Sequence, residues 1–96
     1  MAKEVTEIVR WQSKDGVSES EMKIAVENVV PDLQLIGGFV RKTLFKAESD
    51  WVDIYVWESL ADAEASHGRM AEKQSFQKLI SLVKPETISI TILENT

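Results

Sequence analysis

The middle of the chain contains a seven-residue run that is apolar on both sides. Side chains of a strand alternate between its two faces, so Val52, Ile54 and Val56 share one face of the run Trp51–Trp57. The other face carries Trp51, Asp53, Tyr55 and Trp57. A strand with one face in water would carry charges there. The pattern therefore predicts a strand covered on both sides, by the chain's own helices on one and by a second copy of the same sheet on the other.

Three further segments have the composition of strands. The first, Val5–Gln12, is rich in β-branched residues and is followed by the turn-forming residues Ser13–Gly16. Phe39–Lys46 precedes the central strand and is joined to it by a short polar connection, which is typical of a hairpin. The last is Thr87–Leu93, in which isoleucines alternate with Thr and Ser. We therefore predict four strands.

The segment between the first two strands has helical spacing. Ser18 begins an S-x-x-E capping box, which predicts the start of a helix. Gly37 and Gly38 end it, because glycine tolerates a left-handed cap. Pro31 predicts a kink or short break on the solvent side, since proline lacks a backbone donor and clashes with the preceding turn. The apolar stripe of this helix consists of Met22, Val26, Val29, Leu33 and Ile36.

A second helix is predicted from Ser59, with a further helical piece after Ser75 and an end at Pro85. The order is then β-α-β-β-α-β, the split βαβ pattern of ferredoxin-like folds. We expect an α+β protein with a four-stranded antiparallel sheet and both helices on one face. No repeat or linker interrupts the chain, so residues 1–96 are predicted to form a single domain.

Charge and composition exclude several classes of partner and cofactor. A net charge of −5 argues against a phosphate-binding surface, so no nucleic-acid partner is expected. No apolar run approaches the roughly 18 residues that span a bilayer, and a signal-peptide core is absent. We expect no membrane partner and a cytoplasmic protein. One histidine and no cysteine leave too few ligands for a tight metal site. The sequence also contains no phosphate-binding loop, so we expect no nucleotide cofactor.

The strand end Val56-Trp57-Glu58-Ser59, followed by a helix that carries His67, resembles the dimeric α+β barrel superfamily, especially its antibiotic-biosynthesis-monooxygenase-like members. The resemblance implies a homodimer in which two sheets close into a barrel. It also implies a pocket between sheet and helices for a small apolar or aromatic molecule. Activities in this superfamily include cofactor-independent oxygenation of quinols and polyketides, haem degradation and isomerisation, so the fold does not fix the function.

His67 is the first candidate catalytic residue. Its helical position places it on the sheet-facing side with Ala63 and Met70, and the small Ala63 and Ala71 leave room for a ligand beside the imidazole. We therefore predict Ala63 and Met70 as ligand contacts. Imidazole can move a proton at neutral pH, and the position matches the helix histidine of the family. The alternative is a partly buried histidine that is hydrogen-bonded to a backbone carbonyl or a strand hydroxyl.

Asp53 is the second candidate catalytic residue. In the middle of a covered strand, burial would raise the pKa of its carboxyl group and make it a candidate acid or base. The alternative is an ion pair, because a buried carboxylate otherwise has to be neutralised. Glu7 in the first strand has the same two interpretations. The candidate partners for such a pair are Arg10, Arg41 and Lys42.

Four aromatic residues project from two strands that the fold makes neighbours: Trp11, Trp51, Tyr55 and Trp57. They could stack on a flat ligand or form the core of the dimer interface, where Trp and Tyr concentrate. We favour the interface for the set as a whole and assign Trp51 to it. Trp57, Tyr55 and Trp11 remain candidate ligand contacts. The sequence leaves open which face of the sheet the helices cover.

Two functions are therefore in competition. The first is a homodimer that binds a small planar apolar ligand beside His67 and oxygenates it without metal or flavin, with His67 as the proton acceptor. The second is a non-catalytic ligand-binding or structural dimer in which His67 and Asp53 are only satisfied polar groups. An apolar pocket of roughly 300 Å³ or more next to His67 would favour the first.

Overall fold

A computed structural model of the chain describes residues 3–95. Its four strands form one sheet in the order β2-β3-β1-β4, and every neighbouring pair is antiparallel. The strands are β1 (Val5–Trp11), β2 (Phe39–Ala47), β3 (Asp50–Trp57) and β4 (Ser89–Glu94). This is the predicted α+β, ferredoxin-like arrangement, with strand ends within two residues of those expected.

Each predicted helix consists of two pieces. The first connection contains α1 (Glu19–Asn28) and α2 (Val30–Leu35), and the second contains α3 (Leu60–Ala71) and α4 (Gln74–Ser81). A 3-10 turn at Pro85–Thr87 precedes β4. In the part of the chain that is described, none of these helices has the length and apolar character needed to cross a bilayer.

The helix boundaries follow from the local signals in the sequence. The capping box at Ser18 is formed, because its hydroxyl accepts the backbone N–H of Glu21 at 3.1 Å. Pro31 lies exposed in the first turn of α2, directly after the break between α1 and α2, as predicted. Gly37 and Gly38 follow α2 with φ angles of +89° and +80°, which side-chain-bearing residues rarely adopt.

The helices cover the aromatic face of the sheet. Trp51 is only 2% exposed in the single chain, and its indole N–H donates to the Ser13 hydroxyl at 3.1 Å. The rings fill the core layer against Met22, Val26 and other residues of the predicted helical stripe. This corrects the expectation that Trp51 lies in a dimer interface, because the chain's own elements already bury it.

The opposite face of the sheet has an aliphatic strip at its centre, flanked by polar residues such as Thr6, Arg10, Arg41 and Thr43, and no described helix packs on it. We call it the open face; it includes Val52, Ile54 and Val56 of β3 with Ile8 of β1. Phe45 of β2, opposite Val52, is 50% exposed there. The strand β3 is thus apolar on both sides, as predicted, but the faces are assigned the other way round from the favoured interpretation.

Asp53 forms an ion pair inside the helix-covered layer. Its carboxylate is fully buried, and Oδ1 lies 3.0 Å from Nζ of Lys42, whose side chain is 9% exposed. Burial raises the pKa of Asp53, and the Lys42 ammonium acts in the opposite direction. Its second oxygen has no hydrogen-bond partner within residues 3–95. The alternative interpretation of Asp53, a pair with a cation on the neighbouring strand, is therefore the one observed.

Lys42→Met should destabilise the fold by about 3 to 5 kcal/mol at neutral pH, because it leaves the buried carboxylate unpaired. The pKa of Asp53 is raised in the folded protein, and losing Lys42 raises it further. The folded variant then binds a proton more tightly than the unfolded chain, so its stability deficit should shrink as the pH falls from about 7 towards 4. Urea denaturation of variant and wild type across this range measures the effect.

Lys23→Met is the matched control, because Lys23 forms a surface pair with Glu19 at 3.8 Å and both side chains are more than half exposed. It should cost about 0 to 1 kcal/mol. Equal losses in the two variants, or a deficit in Lys42→Met that does not change with pH, would contradict the structural role of the buried pair.

Candidate functional site

A cavity of about 300 Å³ lies between the helix-covered face of the sheet and the helices. Its floor comes from β1 and β3, and its far wall comes from α3 and α4. Apolar side chains dominate the lining, among them Val9, Leu33, Phe76, Leu79, Ile80, Val83, Ile88 and Ile90. The cavity is therefore suited to an apolar ligand of a few rings.

A buried carboxylate interrupts this apolar lining. The Glu7 carboxylate is 2% exposed, and its two oxygens have separate partners. Oε1 accepts the indole N–H of Trp57 at 3.0 Å, and Oε2 lies 2.6 Å from Nε2 of His67. All three residues line the cavity. The site is thus a carboxylate–imidazole pair whose carboxylate also accepts a hydrogen bond from the Trp57 indole.

The register of the sheet and the start of α3 bring these side chains together. The antiparallel pairing of β1 with β3 sets Val5 opposite Trp57 and Glu7 opposite Tyr55, so the indole and the carboxylate share one face. Ser59 caps α3 by accepting the backbone N–H of Asp62 at 3.1 Å. His67 lies eight residues later, about 12 Å along the helix, above the middle of β1.

The pair defines what His67 can do chemically. When Glu7 is ionised it only accepts hydrogen bonds, so Nε2 of His67 is then the donor and the uncharged ring has Nδ1 available to accept a proton. The Glu7 carboxylate would stabilise the imidazolium that forms when Nδ1 does so. The His67 side chain is 49% exposed, whereas Glu7 is buried. His67 therefore connects a buried charge with the mouth of the cavity.

Four of the five predicted ligand contacts line the cavity: Trp57, Tyr55, Trp11 and Met70. Tyr55 stacks on Trp57 with ring centroids 6.0 Å apart and planes 17° apart. Burial, together with the neighbouring Asp53 carboxylate, holds the pKa of the Tyr55 hydroxyl well above its usual value. Tyr55 therefore remains a neutral hydroxyl at physiological pH.

The structure places two other candidates elsewhere. Ala63 is completely buried in the core and does not line the cavity. Asp53 does not line it either, because its carboxylate is paired with Lys42 beneath the helices. Neither residue is in position to contact a ligand in the cavity.

Glu7 was not among the predicted site residues, because the sequence left it with two interpretations, a candidate acid or base and the partner of an arginine or lysine. His67 was predicted as a catalytic residue or, alternatively, as a histidine bonded to a backbone carbonyl or a strand hydroxyl; its observed hydrogen-bond partner is the Glu7 carboxylate. The available signal was one acidic residue at a helix-facing position of β1 together with one histidine in the whole chain. The contributions of α4, such as Phe76 and Leu79, were predicted as helix core and not as cavity lining.

Within the described range, no group of three or more His, Cys, Asp or Glu side chains is arranged to hold a metal ion. Glu7, His67 and the aromatic residues are the side chains of this site that can exchange a proton or contact an aromatic ring.

Comparison with known proteins supports the fold. No protein-family model and no curated protein matches the chain. Among solved structures, the cofactor-independent oxygenase SnoaB from Streptomyces nogalater is similar at 21% identity with a TM-score of 0.74, over 99% of this chain and 95% of SnoaB. A protein of unknown function from Nitrosomonas europaea is 15% identical with a TM-score of 0.75, over 96% of this chain and 88% of its own.

A third structure, provisionally named an antibiotic biosynthesis monooxygenase from Bordetella bronchiseptica, gives a TM-score of 0.80 at 16% identity over 98% of both chains. Identities this low establish the architecture and leave the activity to be argued from the site. The chain shares the α+β fold of SnoaB and of the antibiotic-biosynthesis-monooxygenase-like structures.

Proposed function

We propose that this protein binds a small planar apolar molecule, such as a quinol or a polyketide-like compound, in the cavity beside His67 and oxygenates it without a cofactor. The observation that carries the proposal is an apolar cavity of about 300 Å³ with a carboxylate–imidazole pair in its wall. This volume lies at the small end of known ligand pockets. The name of SnoaB, a cofactor-independent oxygenase of the same fold, supports the same chemistry.

In this proposal His67 starts the reaction by taking a proton from the substrate. Nδ1 accepts a proton from an activated methylene or a ring hydroxyl. Glu7 accepts a hydrogen bond from Nε2–H, which leaves Nδ1 as the basic nitrogen of the ring. Tyr55 and Trp57 contact the faces of the substrate rings. The resulting substrate anion is electron-rich enough to react directly with dioxygen.

The oxygenation step balances without a further reactant. The substrate carbanion transfers one electron to O₂, and the substrate radical and superoxide then combine to form a carbon–oxygen bond. The resulting peroxide anion takes back the proton held by His67 and becomes a hydroperoxide. Loss of water from it, with the second hydrogen of that carbon, leaves a carbonyl. Overall a CH₂ group and O₂ become C=O and H₂O, and His67 is returned to its uncharged form.

His67→Ala should lower the oxygenation rate of an anthrone probe by about a hundredfold or more, because it removes the proton acceptor. Secondary structure should be retained, since alanine is a good helix former. The rate is followed by the absorbance of the anthraquinone formed and by oxygen consumption. Glu64→Ala, at an exposed position on the same helix, is the matched control and should keep the wild-type rate.

Two results would count against this assignment. If the wild type binds the probe but does not consume oxygen, the protein is a binding module and His67 is not catalytic. If His67→Ala turns the probe over at the wild-type rate, another group takes the proton.

We further propose that a second copy of the chain covers the open face of the sheet, as the resemblance to the dimeric barrels suggests. The face has an aliphatic centre in Val52, Ile54 and Val56, and Phe45 and Leu93 beside it are each 50% exposed. Exposed apolar side chains gathered on one face and bordered by polar residues are typical of a protein–protein interface. It lies on the opposite side of the sheet from the cavity, so dimerisation leaves the cavity accessible.

Ile54→Lys should convert the dimer into a monomer, because it places an unpaired charge at the centre of the open face. Light scattering after size-exclusion chromatography should give twice 10.8 kDa for the wild type and 10.8 kDa for the variant. Leu35→Lys is the matched control, since Leu35 is 77% exposed on α2 and away from this face. A wild-type mass near that of one chain at micromolar concentration would contradict the dimer.

A further inference from the structure

The wall of the cavity carries one acidic side chain and, among the described residues, no lysine or arginine. Glu7 is the acidic residue, and the other polar side chains are Tyr55, Ser66 and His67. Ser66 donates its hydroxyl hydrogen to the carbonyl of Ala63 at 2.7 Å, so it is already satisfied. Whenever His67 is uncharged, a ligand in the cavity therefore meets a negative charge and no positive one.

The nearest buried cation does not cancel this charge. Lys42 is 3.0 Å from Asp53 and balances that carboxylate. The Lys42 ammonium group is therefore already taken by Asp53 and does not neutralise Glu7. The Glu7 charge also acts across the helix-covered face, since it is one of the causes that raise the pKa of Asp53.

This arrangement has consequences for the charge of the ligand. A ligand carboxylate would lose its hydration in the apolar cavity and lie close to Glu7 without a cation to pair with. A phenolic hydroxyl, with a pKa of about 10, is neutral at pH 8 and can donate to His67 Nδ1. We propose that Glu7 is a specificity-determining residue that makes the cavity select neutral hydroxyaromatic ligands and exclude their carboxylate-bearing analogues.

This inference rests on the proposed ligand site and narrows its substrate class. It is tested with three probes that share one ring system and differ in charge: 2-naphthol, 2-naphthoate and 2-naphthylmethylammonium. Titrations at pH 8, at which a naphthol is uncharged and a naphthoate is ionised, can be followed by calorimetry or by the fluorescence of Trp11 and Trp57, which line the cavity. The neutral probe should bind at least about tenfold more tightly than the carboxylate.

Comparing the ammonium probe with the carboxylate probe separates the effect of the ligand's charge sign on binding from the cost of dehydrating an ion. Both ions lose hydration on entering an apolar cavity, so dehydration alone gives no strong preference between them. The wild type should prefer the ammonium probe by about tenfold or more because of Glu7. This comparison needs no variant, so it decides the question even if a substitution of Glu7 fails to fold.

Glu7→Gln removes the charge and keeps a side chain that can accept the Trp57 N–H. The preference for ammonium over carboxylate should fall by about tenfold in this variant. Glu4→Gln removes the same charge from an exposed position outside the cavity and should keep the wild-type preference.

The outcomes separate this inference from the proposed function. If 2-naphthol binds but 2-naphthoate binds equally well, or if the preference for ammonium survives in Glu7→Gln, the role of Glu7 is overturned and the ligand site stands. If none of the three probes binds the wild type, the ligand site and this inference fall together.

Discussion

The antiparallel register of β1 on β3 is the constraint on which the site depends. It sets Glu7 opposite Tyr55 and Val5 opposite Trp57, so that the indole N–H of Trp57 meets the Glu7 carboxylate within the layer covered by helices. Because side chains in a strand have a period of two, a slip of one residue would turn Glu7 towards the open face. The aromatic rings on β3 oppose such a slip, since it would expose Trp51 and Trp57, which are at most 2% accessible in the single chain. Core packing and site geometry are therefore fixed by the same pairing.

The helix-covered layer contains two carboxylates, and each is compensated locally. Asp53 is paired with Lys42 from the adjacent strand, and Glu7 receives hydrogen bonds from Trp57 and His67. Burying either carboxylate without any partner would cost several kcal/mol, so these hydrogen bonds and the ion pair stabilise the layer. The two pairs differ in their position relative to the cavity. The Lys42–Asp53 pair is closed off from the cavity, whereas the Glu7–His67 pair forms part of its wall.

Local signals in the sequence predicted the fold well. The capping box at Ser18, the break at Pro31 and the glycines after α2 act within a few residues, and each has the predicted effect. The assignment of faces could not be obtained in this way, because β3 alternates between two apolar sets and periodicity alone does not say which set meets the helices. The Glu7–His67 pair was also out of reach, since its members lie 60 residues apart in sequence and meet only through the sheet register and the position of α3. Trp57, Tyr55, Trp11 and Met70 were found from sequence because the aromatic face and the sheet-facing side of α3 are properties of single elements.

The exposure of His67 argues for a functional rather than a purely structural pair. A residue whose only task is to neutralise a buried carboxylate is best buried with it, as Lys42 is at 9% exposure beside Asp53. His67 is 49% exposed and still places Nε2 2.6 Å from the buried Glu7. A half-exposed imidazole can exchange protons with solvent and also present its second nitrogen to a molecule in the cavity. The fold shared with SnoaB does not require this pair, because the fold is set by the alternation of strands and helices and the chemistry by a few side chains on it. A protein with a purely structural role would not need a pair such as Glu7–His67, in which a buried carboxylate is bonded to a half-exposed imidazole in the wall of an apolar cavity.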